Sequence, residues 1–188
     1  VMKVAIIGQG YVGLTIAAFA SKHFKVVGFD NNLKIVAQLN SGISHIEGVD
    51  SALIASTVKS GNYLATSNPD DIAGSDVVVI AVPTPLTKGR KPDLTFIESA
   101  CKTIAENLTG SALIINESTC YIGTLRDLVK PIIHNLSGIE DIDYAAAPER
   151  IDPGNNVWHL GNTPRIISGL DEIAINQAFK FYSTFCTQ

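Results

Sequence analysis

The chain has 188 residues, 46% hydrophobic and 17% charged, with a formal net charge of -4. That length and composition suit a globular domain with one good core. An acidic balance without a basic run argues against a nucleic-acid surface, and the strongest apolar run, "VVVIAV" at 77–82, is far too short to span a bilayer.

No charged-then-apolar leader precedes Ile6, so no secretory signal is expected and the chain reads as cytoplasmic. The first β-rich run is "KVAIIG" at 3–8, and a helical pattern follows at 11–22 with Val12, Ile16 and Phe19 on one face. "KVVGFD" at 25–30 is the second run. Asn31 then precedes a helical "NLKIVAQLN" that ends at Gly42. Further β-rich runs are "YLATS" (63–67), "DVVVIAV" (76–82), "ALIINES" (112–118), "YAAAP" (144–148) and "PRIISG" (164–169). Asp93 introduces a helical segment at 94–108 carrying Leu94, Ile97, Ile104 and Leu108. Strands that read as unbroken apolar runs are buried on both faces. Strand–helix alternation then implies an α/β domain with a doubly wound parallel sheet and helices on both faces. No repeat, low-complexity tract or linker divides residues 1–188.

Three cysteines, Cys101, Cys120 and Cys186, are odd in number and widely spaced, which fits reduced thiols. His23, His45, His134 and His159 show no metal-ligand spacing, so no metal is expected.

Gly8, Gly10 and Gly13 form G-x-G-x-x-G directly after the first strand. The first glycine permits the tight turn, the second lets backbone approach a pyrophosphate, and the third lets helix and sheet pack closely. The helix beginning at Tyr11 and Val12 offers its N-terminal N–H groups to the phosphates. Asp30 ends the second strand, where a carboxylate accepts the ribose hydroxyls of the adenosine half and repels a 2′-phosphate. NAD is therefore the expected cofactor, preferred over NADP. The alternative for Asp30 is a helix cap or a solvated strand end.

Three further motifs follow later strands. "VPTPL" at 82–86 places Val82, Pro83 and Thr84 where such a sheet keeps its ligand crevice, although a rigid connecting loop needs the same prolines. "ESTCYIGT" at 117–124 sets Ser118 and Thr119 where strand yields to helix, able to cap it or to bond a ligand. "APERIDPGN" at 147–155 puts Glu149 at a strand end, where a carboxylate can act as general base. A surface turn set by Pro153 and Gly154, with Arg150 paired to a carboxylate, is the alternative.

With "GQGYVGL" at 8–14, these motifs occur in an order and spacing that resembles the UDP-glucose/GDP-mannose dehydrogenase family. The resemblance covers essentially the whole chain. It implies a Rossmann-type NAD domain, followed in the family by a long dimer-forming helix and a nucleotide-sugar domain, both outside this sequence. It implies a homodimer, and oxidation of a sugar C6 alcohol to a carboxylate by two NAD, with a thioester on a cysteine of the second domain.

By the same resemblance Val82, Pro83 and Thr84 hold the nicotinamide-side ribose and phosphates. Ser118 contacts the cofactor. Thr119 lies beside the nicotinamide and helps hold a water, and Glu149 is the acid/base for that water. Arg150 and Ile151 touch the sugar nucleotide. Glu117 is expected to be structural, and Cys120 a packed thiol. The UDP-glucose enzymes follow the glutamate with an aromatic residue, an aliphatic one and a second glutamate. Here Arg150, Ile151, Asp152 and Pro153 stand before Gly154, which resembles the branch acting on UDP-N-acetylhexosamines, whose products serve polysaccharide synthesis. Two other classes stay open from the residues alone. One is a β-hydroxyacid-type NAD dehydrogenase; the other is a non-enzymatic NAD-sensing domain.

Overall fold

The computed structural model describes residues 1–149 and 160–186. Seven strands form one sheet in the order β3-β2-β1-β4-β5-β6-β7. In chain order these are β1 (Lys3–Ile7), β2 (Lys25–Phe29), β3 (Tyr63–Thr66), β4 (Val77–Ile80), β5 (Ala112–Asn116), β6 (Ile142–Ala146) and β7 (Ser168–Gly169). All neighbours through β6 pair in parallel, and β7 alone runs antiparallel, against β6. The run at 164–169 thus supplies a two-residue antiparallel edge, not a further parallel strand. An antiparallel neighbour can do without the crossover that a parallel one requires.

Helices cover both faces: α1 (Tyr11–Ala20), α2 (Leu33–Asn40), α3 (Ser51–Lys59), α4 (Thr95–Asn107), α5 (Lys130–Ser137) and α6 (Glu172–Ser183). The period-2 alternation of the strands separates two cores. Val4, Ile6, Val77, Val79, Leu113 and Ile115 face one core, which α1 and α6 complete with Leu14, Ala17, Phe181 and Tyr182. Ala5, Ile7, Val78, Ile80 and Ile114 face the other, closed by Ile97 and Ile104 of α4 and Ile133 of α5. The helix α1 is buried almost all round, with Leu14, Ile16, Ala17 and Ala18 inside, so its covered face is wider than Val12, Ile16 and Phe19.

Local signals explain most helix ends. Asn32, not Asn31, caps α2, its side-chain oxygen accepting from Lys34 N at 3.1 Å. Asp50 and Asp171 cap α3 and α6 in the same way, accepting from Ala52 N and Ala174 N at 2.8 Å. Asp93, two residues ahead of the start of α4, accepts from Thr95 N at 3.0 Å. Before α5 the chain makes a π-turn over Leu125–Val129. Pro131 lies in the first turn of α5 and has no N–H to give the carbonyl of Asp127, which favours the wider turn. Gly138 ends α5 in the left-handed region at φ 67°.

The chain leaves β1 for β2 on one side, and β4 lies on the other. The order reverses there, and doubly wound sheets hold ligands in the crevice that opens at the carboxyl ends of those strands. The glycine loop after β1 and the 81–86 loop after β4 meet at this crevice.

Candidate functional site: a dinucleotide cleft backed by a buried ion cluster

Each glycine of the first loop has its own steric reason. Gly8 sits at φ 93°, and a Cβ there would lie 2.6 Å from Ala81 O. A Cβ on Gly13 would lie 1.8 Å from Gly8 O, so α1 packs against the loop only without a side chain. Gly10 differs, because a Cβ there meets nothing within 4 Å. Its lack of a side chain serves no contact within the fold and leaves the backbone open to a ligand. Gly10 is also the extended residue at the start of α1. The first N–H groups of a helix lack partners within it and carry the positive end of its dipole. The loop therefore fits a pyrophosphate.

Asp30 follows β2 at the rim. Its Oδ2 accepts from Gln9 N and its Oδ1 from Asn32 N, both at 2.8 Å. The carboxylate is thus oriented by two backbone donors and retains acceptor capacity on both oxygens. The alternative role of helix cap falls to Asn32, which caps α2.

Gln9 and Tyr63 were not legible as site residues. Gln9 is fully buried. Its Nε2 donates to Ile6 O at 3.0 Å and Gly8 O at 3.1 Å, and its Oε1 accepts from Tyr63 OH at 2.7 Å. Gly28 makes room for this pair, since a Cβ there would fall 2.5 Å from Gln9 Oε1. A glycine inside an apolar strand is the sequence signal for such close approach.

A cleft of about 410 Å³ runs from Gly8 and Asp30 past Val82 and Pro83 to Phe96 on α4. A second, of about 300 Å³, shares Val82 and Pro83 and is lined by Tyr11, Val12, Thr84, Ser118, Thr119 and Glu149. The structure therefore gathers the residues expected at the nicotinamide end around one pocket. Arg150 and Ile151 lie outside the described residues. Thr119 is exposed at the pocket wall.

Ser118 is buried and holds the neighbouring loop. Its hydroxyl donates to Val82 O at 2.8 Å and accepts from Val82 N at 3.0 Å. Neither Ser118 nor Thr119 caps a helix, because the next helical turn begins only at Leu125. Cys120 is half-buried against the α4–α5 core, with Asn116 Nδ2 3.4 Å from its sulfur.

Behind the second pocket lies a buried ion cluster. Arg165 Nη1 donates to Glu117 Oε1 at 2.6 Å and to Ala147 O at 3.3 Å. Arg165 Nη2 pairs with Glu149 Oε2. Tyr182 OH also donates to Glu117 Oε1, and the guanidinium lies 4.5 Å from the Tyr182 ring centroid. Glu117 Oε2 is buried without a hydrogen-bond partner among the described residues. Burial pushes the Glu117 carboxyl up to about 7, against the pull of Arg165. One buried guanidinium thus serves two carboxylates, an arrangement in which one carboxylate is readily protonated. Arg165 stands in the run "PRIISG" as an isolated cation, and nothing local marks a partner 48 residues back.

The fold and cleft define a dinucleotide-binding domain of the doubly wound class. Residues 2–186 match the NAD binding domain of the UDP-glucose/GDP-mannose dehydrogenase family, and the chain belongs to that family. It is an NAD-binding domain, and family membership separates it from the other two classes the residues left open. The chain is 39% identical to the UDP-N-acetyl-D-mannosamine dehydrogenase of Pyrococcus horikoshii, over 98% of its own length and 45% of that protein. It is 35% identical to the UDP-N-acetyl-D-glucosamine 6-dehydrogenase of Pseudomonas aeruginosa, over 89% of this chain and 40% of that one. The solved structure of the UDP-D-ManNAc dehydrogenase from Pyrococcus horikoshii superposes with a TM-score of 0.91 at 37% identity, covering 99% of this chain and 45% of that one. The chain thus spans less than half the length of these relatives. Among the described residues no helix is long and apolar enough to cross a membrane.

Proposed function

We propose that this chain is the cofactor domain of a cytoplasmic, homodimeric dehydrogenase that oxidises the C6 alcohol of a UDP-N-acetylhexosamine to the uronic acid. Residues 1–188 form its NAD domain, and the dimer helix and sugar-nucleotide domain belong to the remainder of the protein. The observation that carries this reading is the meeting of Thr119 and Glu149 at the end of the NAD cleft remote from Asp30. The N-acetylhexosamine substrates of both named relatives support the choice of sugar.

Bound NAD supplies the hydride acceptor. The residues of this chain do the rest of the binding and water chemistry on their side of the pocket. Gly8, Gly10 and Gly13 admit the pyrophosphate to the first turn of α1, where Tyr11 and Val12 begin the helix. Asp30 accepts the adenosine ribose hydroxyls. Val82, Pro83 and Thr84 line the nicotinamide-side ribose, on a loop that Ser118 fixes. Thr119 and Glu149 hold the water that releases the acid, with Glu149 taking its proton. Arg150 and Ile151 are assigned to sugar-nucleotide binding on the family resemblance.

The test is Glu149→Gln in the full-length protein. A general base contributes about 10² to 10⁴ in rate, so release of the acid should slow more than the first oxidation. A covalent sugar adduct should then appear by intact mass spectrometry after mixing with NAD and UDP-N-acetylhexosamine. The 188-residue chain alone should form no NADH with any UDP-sugar. An adduct-free variant with near-normal turnover would remove Glu149 from the mechanism.

A further inference from the structure

We infer that Arg165 is a positioning residue for Glu149, braced from behind by Glu117 and Tyr182. The inference rests on the reading of Glu149 as the base. Its geometry is independent of that reading. Glu149 lies outside regular structure after β6, so its backbone alone does not fix where the carboxylate points. Arg165 fixes it, with Nη2 on Glu149 Oε2 while Nη1 is held by Glu117 Oε1 and Ala147 O. The planar guanidinium is a rigid fork, so holding one nitrogen aims the other. Its face lies against the Tyr182 ring, and Tyr182 OH closes on the same Glu117 oxygen. A fork held on one nitrogen and one face cannot swing, and the carboxylate on its other nitrogen inherits that rigidity.

Glu117 is more than filler in this brace. It competes with Glu149 for one cation. An ionised Glu117 divides the field of Arg165, whereas a protonated Glu117 leaves Glu149 the whole of it. Among the described residues the titratable groups against the guanidinium are Glu117, Glu149, Tyr182 and Cys186, which accepts a hydrogen bond from Arg165. Tyr182 is held neutral by burial, and burial raises the Cys186 thiol. Glu117 is the group that burial carries into the neutral range.

The experiment is kcat, KM and NAD affinity in the full-length enzyme for three variants. Arg165→Lys keeps a positive charge but is no planar fork, so it cannot hold both carboxylates at once. It should lower kcat about ten-fold or more while leaving KM and NAD affinity within about three-fold. Glu117→Ala removes the oxygen that Arg165 Nη1 and Tyr182 OH share and should lower kcat in the same way. Glu117→Gln keeps an oxygen there and should recover most of that loss. Should Arg165→Lys fail to fold, the Glu117 pair carries the test. Wild-type kcat in Arg165→Lys, or in Glu117→Ala, overturns the inference. Glu149→Gln keeps the two readings apart, since retained turnover there defeats the base assignment only. The positioning claim is then decided by the crystal structure of Arg165→Lys, in which the Glu149 carboxylate should be displaced. A carboxylate that stays in place ends it.

Discussion

The backbone N–H of Gln9 donates to Asp30 Oδ2 at 2.8 Å, which ties the glycine loop to the acid at the end of β2. The phosphate-facing and ribose-facing parts of the cleft are thereby one unit. The other carboxylate oxygen takes Asn32 N, so Asp30 is preoriented before any ligand arrives. Asp30→Ala should weaken NAD about ten- to hundred-fold, since hydrogen bonds to charged groups contribute roughly 1.5–3 kcal/mol. NADP, already repelled by the carboxylate, should lose less, so the preference narrows. Asp30→Asn keeps an acceptor for Gln9 N and should lose less binding than Ala. Calorimetry with both cofactors measures each arm, and equal affinities in the unmutated chain would defeat the assignment.

The two glycines at the helix entry should fail in different ways. A Cβ at Gly13 would lie 1.8 Å from Gly8 O, so Gly13→Ala must displace the helix or the loop. Overpacking of this kind destabilises by about 1–3 kcal/mol, and the melting temperature should fall along with NAD binding. At Gly10 a Cβ meets nothing within 4 Å. Gly10→Ala should melt normally and still bind NAD poorly, because only the ligand fills that space. Thermal melting beside calorimetry separates the two, and normal NAD binding by Gly10→Ala would show that the pyrophosphate does not approach there.

The strands were legible because apolar runs such as "VVVI" at 77–80 belong in the middle of a parallel sheet. The glycine loop was legible because φ and close packing dictate residue type locally. Helix α3 is not legible in the sequence: "SALIASTVK" mixes small, polar and β-branched residues, and its start depends on the Asp50 cap. The ion cluster was out of reach for another reason. Glu117, Arg165 and Tyr182 come together from three separate elements, and no local pattern encodes a contact of that range. Ser118 is half legible, as a hydroxyl that needs a partner. That partner is the Val82 backbone, 36 residues back.

That hydroxyl makes a specific prediction. Ser118 Oγ joins Val82 N and Val82 O across the gap between β4 and β5 and is buried. Ser118→Ala leaves both backbone groups without that partner, and a lost hydrogen bond of this kind costs about 1–3 kcal/mol. The loop carrying Pro83 and Thr84 should loosen. Hydrogen exchange at Val82 should speed up, and NAD should bind several-fold more weakly with no change in cofactor preference. Unchanged exchange at Val82 would place the loop's rigidity elsewhere, in Pro83 and Pro85.

Glu117 predicts an unusual dependence of stability on pH. Burial raises its carboxyl from 4.5 to about 7 in the folded state, so the folded protein holds this proton more tightly than the unfolded chain. Linkage fixes the sign: its contribution is fully present below about pH 4.5 and is lost as pH rises through about 7. A shift of this size is worth on the order of 3 kcal/mol. Glu117→Gln has no proton to lose and should remove that slope. Arg165 stays charged over the whole range, so its lost ionic partner enters the comparison as a constant offset. Urea unfolding at pH 5 and pH 8 reads the difference. The wild type should lose stability relative to Glu117→Gln between the two, most steeply near neutrality. A gap between the two proteins that does not change with pH would mean that Glu117 stays ionised in the fold, with Arg165 satisfying both carboxylates at once.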